Sequence, residues 1–77
     1  MSLLESGENY LETILVLTQR NGSVRSIDVA NEMNFTKPSV SRAMSILKKE
    51  NLITMENDGR LVLTEEGLQK ATAILER

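Results

Sequence analysis

Apolar side chains recur at helical spacing in four stretches of the 77-residue chain, and turn-forming residues separate these stretches. The pattern predicts helices over residues 8–20 and 27–33, a third that follows residue 36 and closes at residue 51, and a fourth that follows residue 64. The expected inward faces are made by Leu11, Ile14, Leu15 and Thr18; by Ile27, Ala30 and Met33; by Val40, Met44 and Leu47; and by Leu68, Ala71, Thr72 and Leu75.

Residues that begin or end helices stand at the predicted boundaries. The expected N-caps are Ser26, Thr36 and Thr64. A hydroxyl oxygen at such a position accepts a hydrogen bond from a backbone N–H of the first turn. Asn34 is expected to end the second helix in the left-handed conformation, and Phe35 to follow it as a buried turn residue.

Two short strands are predicted over residues 52–56 and 60–63, on either side of a turn at Asn57-Asp58-Gly59-Arg60. Asp-Gly is a strong signal for a two-residue hairpin turn. Residues 23–25 are long enough only for a stub of strand. The order helix, helix, helix, hairpin, helix predicts a mostly α fold with a small β-hairpin. This is the winged helix-turn-helix, expected here as a single domain over residues 1–77.

The composition narrows the class of function. The sequence contains no cysteine and no histidine, which excludes disulfides, thiolate metal sites, the commonest general base and the commonest zinc ligand. We therefore expect no enzymatic activity. No apolar run is long enough to span a bilayer and no signal peptide precedes the first helix, so we expect a cytoplasmic protein without a membrane partner.

The distribution of charge favours a nucleic-acid partner, although the net charge is -2. Residues 36–49 carry Lys37, Arg42, Lys48 and Lys49 and no acid. A solvated helix face usually mixes both signs of charge, whereas a helix in the major groove must present donors without repelling phosphates. The third helix is therefore the expected DNA-reading helix.

Three residues have the spacing of a helix-turn-helix. Ala30 is small where the two helices cross, Asn34 suits the left-handed turn four positions later, and Val40 anchors the second of these helices on the first. The predicted DNA-binding residues, for which double-stranded DNA is the expected partner, are Thr36, Lys37, Pro38, Ser39, Ser41, Arg42, Ser45, Lys48, Lys49 and Arg60.

Roles within this set follow from position and chemistry. Arg42 is suited to a bidentate contact with guanine, and Pro38 offers an apolar surface to a thymine methyl. Thr36 and Ser39 can donate to phosphates at the helix N-terminus. Lys48 and Lys49 lie further along the helix and are expected to meet phosphates.

The hairpin tip supplies a weaker contact. Arg60 can reach a phosphate or the minor groove, but Glu56 and Asp58 flank it and are expected to weaken that contact. We therefore expect the wing to contribute little.

Three stretches of sequence carry a family resemblance. They are Glu-Asn-Tyr-Leu-Glu-Thr-Ile at residues 8–14, residues 30–40 through the Lys-Pro-Ser-Val-Ser core at 37–41, and Leu-Val-Leu-Thr-Glu-Glu-Gly at 61–67. Together they resemble the metal-dependent repressors of the diphtheria toxin repressor and manganese transport regulator family over nearly the whole chain. The resemblance implies a transcriptional repressor in which Thr36, Pro38, Ser39 and Arg42 approach operator bases.

The resemblance also implies that Asn9 and Glu12 occupy positions that supply metal ligands in the family. Here position 9 carries an amide, and the chain stops at Arg77, about where the family's remaining ligands and its dimerisation helices begin. We expect either a piece of a longer regulator or a short relative without the metal module. In both cases no cofactor is expected in this chain, and manganese or iron only in a full-length relative.

A winged helix that binds another protein, without reading DNA, is the alternative function. The fold alone does not separate the two, but a protein-binding version would more often expose apolar residues on the third helix.

A homodimer on an inverted repeat is the expected DNA-bound form, because one short helix reads only a few base pairs. Leu3, Leu4 and Ile74 lie off the main apolar faces and are the expected dimer contacts.

Overall fold

The computed structural model describes the backbone of residues 3–75 and the side chains of residues 9–74. Its elements are α1 (Leu3–Asn21), α2 (Ser26–Met33), α3 (Lys37–Lys49), β1 (Ile53–Met55), β2 (Leu61–Leu63) and α4 (Glu65–Leu75). This order confirms the predicted winged helix-turn-helix. Within residues 3–75 no helix is long and apolar enough to cross a membrane. Expectations about the side chains of Leu3, Leu4 and Leu75 lie outside the described residues.

The core lies where α1 packs against α4 and against the helix-turn-helix. Helix α1 starts at Leu3, earlier than the predicted residue 8, and its central part is buried nearly all round. Its buried residues are Tyr10, Leu11, Ile14, Leu15 and Leu17. Thr18, predicted to face inward, is half-buried, and its hydroxyl donates to the carbonyl of Ile14 at 2.7 Å. This bond satisfies the hydroxyl inside the helix.

Helix α2 presents a different face to the core from the predicted one. Its N-cap is Arg25 rather than Ser26, and the backbone N–H of Arg25 donates to Oδ2 of Asp28 at 2.9 Å. Ile27 is 38% exposed, so its predicted burial is wrong, whereas Val29 and Ala30 are buried. Residues two apart lie about half a turn from each other on a helix. When Val29 faces the core, Ile27 must therefore face away from it.

The turn between α2 and α3 confirms one expectation and corrects another. Asn34 is left-handed, with φ 58°, as predicted. Phe35 follows with its N–H bonded to the carbonyl of Ala30 at 3.0 Å, but it is 48% exposed rather than buried. Tyr10 already fills the core below, and Phe35 meets it edge-on with ring centroids 6.0 Å apart.

The wing is a two-stranded antiparallel sheet in which Ile53 pairs with Leu63, Thr54 with Val62, and Met55 with Leu61. Its turn is longer than predicted. The N–H of Gly59 donates to Glu56 at 2.9 Å, and the N–H of Glu56 donates to Arg60 at 2.8 Å. Only Gly59 is left-handed, with φ 91°. A two-residue type I′ turn requires positive φ at Asp58 too, which costs energy for a residue with a Cβ.

Helix α4 begins against the start of the wing. The hydroxyl of Thr64 accepts from the N–H of Gly67 at 3.0 Å, as an N-cap should, and donates to the carbonyl of Asn51 at 2.8 Å. Ala71 is buried as predicted, but Leu68 is 45% exposed and its predicted burial is wrong. Gly67 occupies the buried position one residue earlier, because a glycine lets the helix approach the backbone at Leu52 closely.

Candidate nucleic-acid interface

Helix α3 is anchored on the core by one face only. Val40, Met44 and Leu47 are buried, as the sequence predicts, and they belong to the same hydrophobic core as Ala30 of α2, against which α3 packs. Helix α3 therefore presents its remaining faces to solvent. Every member of the predicted DNA-binding set is exposed: Thr36, Lys37, Pro38, Ser39, Ser41, Arg42, Ser45, Lys48, Lys49 and Arg60.

The start of α3 confirms the predicted cap and refines its role. Oγ1 of Thr36 accepts from the backbone N–H of Ser39 at 3.4 Å and donates to Oγ of Ser39 at 2.9 Å. The hydroxyl proton of Thr36 is thus engaged within the cap. The proton of Ser39 remains available for a phosphate at the positive end of the helix.

The cations of α3 have no acidic partner among the described side chains. Within residues 9–74 the ion pairs are Arg20–Glu32 at 3.5 Å and Asp58–Arg60 at 2.8 Å. No acid occurs in α3, whose C-cap is Glu50. The surface from Lys37 to Lys49 therefore carries unneutralised positive charge, which is the condition for accepting a phosphate backbone.

At the wing tip, the carboxylate of Asp58 holds the side chain of Arg60. Oδ1 of Asp58 accepts from Nε of Arg60 at 3.1 Å and from its backbone N–H at 3.2 Å. Those hydrogen bonds, the backbone one first, lower the pKa of Asp58 below its ordinary value. Because Nε makes the contact, the two terminal amino groups of Arg60 are not used by this pair.

Arg25 is a candidate that sequence reasoning missed. The predicted stub of strand is confirmed: the N–H of Leu61 donates to the carbonyl of Val24 at 2.7 Å, and Arg25 lies opposite Arg60 in an isolated antiparallel bridge. Arg25 is exposed. The stub and the hairpin were both visible in the sequence, but nothing in either showed that the two would pair.

The α1 residues proposed as metal ligands do not make a complete site. Asn9 is exposed and Glu12 is half-buried, and the backbone carbonyl of Asn9 accepts from the hydroxyl of Thr13 at 2.9 Å. The described residues contain no group of three or more His, Cys, Asp or Glu side chains that could hold a metal ion. One carboxylate and one neutral amide are too few donors for tight binding of Mn²⁺ or Fe²⁺.

Solved structures with this fold include transcription regulators. A structure of IdeR from T. acidophilum matches over 88% of this chain and 32% of its own, with a TM-score of 0.83 and 25% identity. A mutant of MepR from a multidrug-resistant S. aureus clinical isolate matches over 95% of this chain and 55% of its own, with a TM-score of 0.79. At 20% identity the second match shows likeness of fold alone.

Curated relatives cover most of the chain. The HTH-type transcriptional regulator MntR of Listeria monocytogenes is 33% identical over 72 residues, which are 94% of this chain and 51% of the relative. The diphtheria toxin repressor of Corynebacterium jeikeium is 28% identical over 75 residues, 97% of this chain and 31% of the relative. The chain thus spans about half the length of the first relative and less of the second.

The family model of the iron-dependent repressor N-terminal DNA-binding domain matches residues 2–61. The chain therefore belongs to the iron-dependent repressor family, as a winged helix-turn-helix DNA-binding domain.

Proposed function

We propose that this domain binds double-stranded DNA sequence-specifically, with α3 in the major groove, and acts as part of a transcriptional repressor. The observation that carries the proposal is the exposed face of α3, which is polar and cationic and has no acid along its length. A groove-reading helix needs donors that meet base edges and phosphates together. We propose no catalytic activity, and we infer a cytoplasmic location because the domain must reach chromosomal DNA.

The contacts divide between bases and phosphates. Arg42, near the middle of α3, is assigned to guanine, and Pro38 to a thymine methyl. Ser39 and the first backbone N–H groups of α3 are assigned to a phosphate. The remaining residues are assigned to contacts with the DNA phosphate backbone, which orient the domain on the duplex. They are Thr36 through its cap, Lys37, Ser41, Ser45, Lys48, Lys49 and Arg60.

Arg42→Ala tests the base contact. We expect specific binding to weaken by about 1–3 kcal/mol and one base position to become degenerate. Lys49→Ala is the matched control, because loss of a phosphate contact weakens binding to all sequences and lowers the salt slope by about one. Both are read by selection from a random duplex library and by titration at several salt concentrations. An unchanged selected motif with Arg42→Ala would refute the assignment.

A protein-binding role is less well supported by the exposed surface. Among the side chains of residues 9–74, the large hydrophobic ones with high exposure are Ile27, Phe35, Met55, Val62 and Leu68, and none of them belongs to α3. DNA affinity that falls steeply with salt supports the proposed function. A lack of duplex binding even at low salt would favour the protein-binding alternative.

We infer a homodimer on the operator, because a module of this size rarely holds DNA tightly at physiological salt by itself. Among the residues expected at the contact, Ile74 is half-buried on α4 and exposed enough to meet a partner. Light scattering of the saturated complex should give two chains per inverted repeat. One chain per duplex at saturation would contradict the dimer.

The metal response is proposed to need more than these 77 residues. Asn9 and Glu12 offer one neutral and one charged donor, and two side chains on one helix face hold Mn²⁺ only weakly. Micromolar manganese should therefore leave the DNA affinity of this chain within about twofold of its value in chelator. A tenfold tightening would show that the site is complete within the chain.

A further inference from the structure

The two aromatic rings of the chain contact each other at the turn that leads into α3. The sequence has one tyrosine, one phenylalanine and no tryptophan. Tyr10 of α1 is 5% exposed, whereas Phe35 is 48% exposed. Their rings meet edge-on, with centroids 6.0 Å apart and planes inclined by 66°. Aromatic pairs favour this arrangement, because the positive edge of one ring faces the negative face of the other. The contact joins α1 to the turn between α2 and α3.

The place of Phe35 along the chain makes this contact important for α3. Phe35 follows the left-handed Asn34, and its N–H donates to the carbonyl of Ala30 at 3.0 Å. These two features fix the end of α2. Thr36, the next residue, is the N-cap of α3. A shift of Phe35 is therefore passed through a single residue to the first turn of α3.

Phe35 adds little to the hydrophobic core. It is not one of the buried core residues among the described side chains, and nearly half of its surface remains in water. The stabilisation gained by burial scales with the apolar area removed from water, so the ring gains only part of what full burial would give. The ring is therefore better suited to orienting the turn than to stabilising the core.

We propose that Phe35 is a positioning residue for DNA reading, and that its ring, packed on Tyr10, sets the direction in which α3 enters the major groove. The proposal rests on the proposed DNA binding by α3 and deepens it. The bidentate contact assigned to Arg42 depends on direction, because hydrogen bonds weaken steeply when they are misaligned. The attraction of lysines to phosphates depends mainly on charge and distance. Loss of the ring should therefore impair specific binding more than binding to unrelated DNA.

The test compares Phe35→Ala with Leu68→Ala. Leu68 is 45% exposed, nearly as much as Phe35, and lies on α4. Fluorescence anisotropy gives the affinities for a duplex that the wild-type protein has selected from a random library and for an unrelated duplex of the same length. A loss of folded protein weakens both affinities by the same factor, so the ratio of specific to unrelated affinity is insensitive to stability. We expect Phe35→Ala to lower this ratio by about fivefold to tenfold, and Leu68→Ala to leave it within about twofold of wild type.

Further variants test the ring and its coupling to α3. Phe35→Tyr keeps an aromatic ring and should keep the ratio within about twofold of wild type. Tyr10→Leu removes the ring on which Phe35 packs and should lower the ratio, although Tyr10 is too deeply buried to touch DNA. In the Arg42→Ala background, Phe35→Ala should lower the ratio by no more than about twofold further, because the contact that depends on the direction of α3 is already gone.

The outcomes separate this inference from the proposed function. An unchanged ratio in Phe35→Ala overturns the role of the ring. A loss that persists in full in the Arg42→Ala background shows that Phe35 contacts DNA directly and overturns the positioning role. A folded Tyr10→Leu variant with an unchanged ratio overturns the dependence on Tyr10. If Tyr10→Leu does not fold, the combination of Phe35→Ala with Arg42→Ala decides alone, since both positions are exposed. If the wild-type chain selects no duplex at all, the DNA-binding proposal itself fails.

Discussion

Gly67 in α4 lies so close to the backbone at Leu52 that replacing it with alanine gives a sharp prediction for stability. A Cβ at position 67 would overlap the carbonyl oxygen of Leu52 and lie 2.9 Å from its carbonyl carbon. That oxygen also accepts the N–H of Thr64 at 3.0 Å. The obstacle is the backbone of Leu52, directly before β1, so no side-chain rotation can make room.

The expected effect of Gly67→Ala is the difference between opposing terms. Alanine favours a helix interior over glycine by about 1 kcal/mol. Overpacking costs about 1–3 kcal/mol, and disturbing the Thr64–Leu52 hydrogen bond costs about 1 kcal/mol more. The net loss is then about 1–3 kcal/mol. A domain of 77 residues has a total unfolding free energy on the order of 4–12 kcal/mol, so the loss is large for this protein.

Urea denaturation followed by far-ultraviolet circular dichroism measures this loss. Ala73→Gly is the matched control, because Ala73 is exposed on the same helix and its replacement reports the helix-propensity cost of about 1 kcal/mol alone. A Gly67→Ala variant with a midpoint at or above that of wild type would refute the reasoning. It would mean that helix propensity outweighs the contact with Leu52.

Three further predictions concern the turns. Thr36→Ala removes the cap on α3 and should lower stability by about 1 kcal/mol in thermal melts, while Thr36→Ser, which keeps the hydroxyl, should not. Asn34→Ala places an alanine at φ 58° and should cost about 1–2 kcal/mol by the same measurement, whereas Asn34→Gly should be nearly neutral. The folded-state pKa of Asp58 lies below its ordinary value of 3.8. The stability advantage of wild type over Asp58→Asn should therefore be present above about pH 4 and should be lost as pH falls through that lowered pKa. A stability difference that stays constant down to about pH 2 would contradict this prediction.

Local features of the structure could be predicted from the sequence. The caps at Thr36 and Thr64 and the left-handed turn at Asn34 depend on bonds within a few residues, so the chemistry of those residues suffices. The inward face of α3 was also predictable, because Val40, Met44 and Leu47 recur at helical spacing. The exposure of the predicted DNA-binding residues of α3 followed from that face.

Only the tertiary structure decided which apolar residues are covered and which distant segments meet. Ile27 and Val29 are both apolar, and the packing of α2 on its neighbours, rather than any property of their side chains, buries only Val29. The pairing of Arg25 with Arg60 and the approach of Gly67 to Leu52 join segments far apart in the chain. Hydrophobicity is non-directional and assigns no partner, whereas these contacts depend on how the helices and strands pack together. The juxtaposition of Arg25 and Arg60 therefore became visible only in the folded domain.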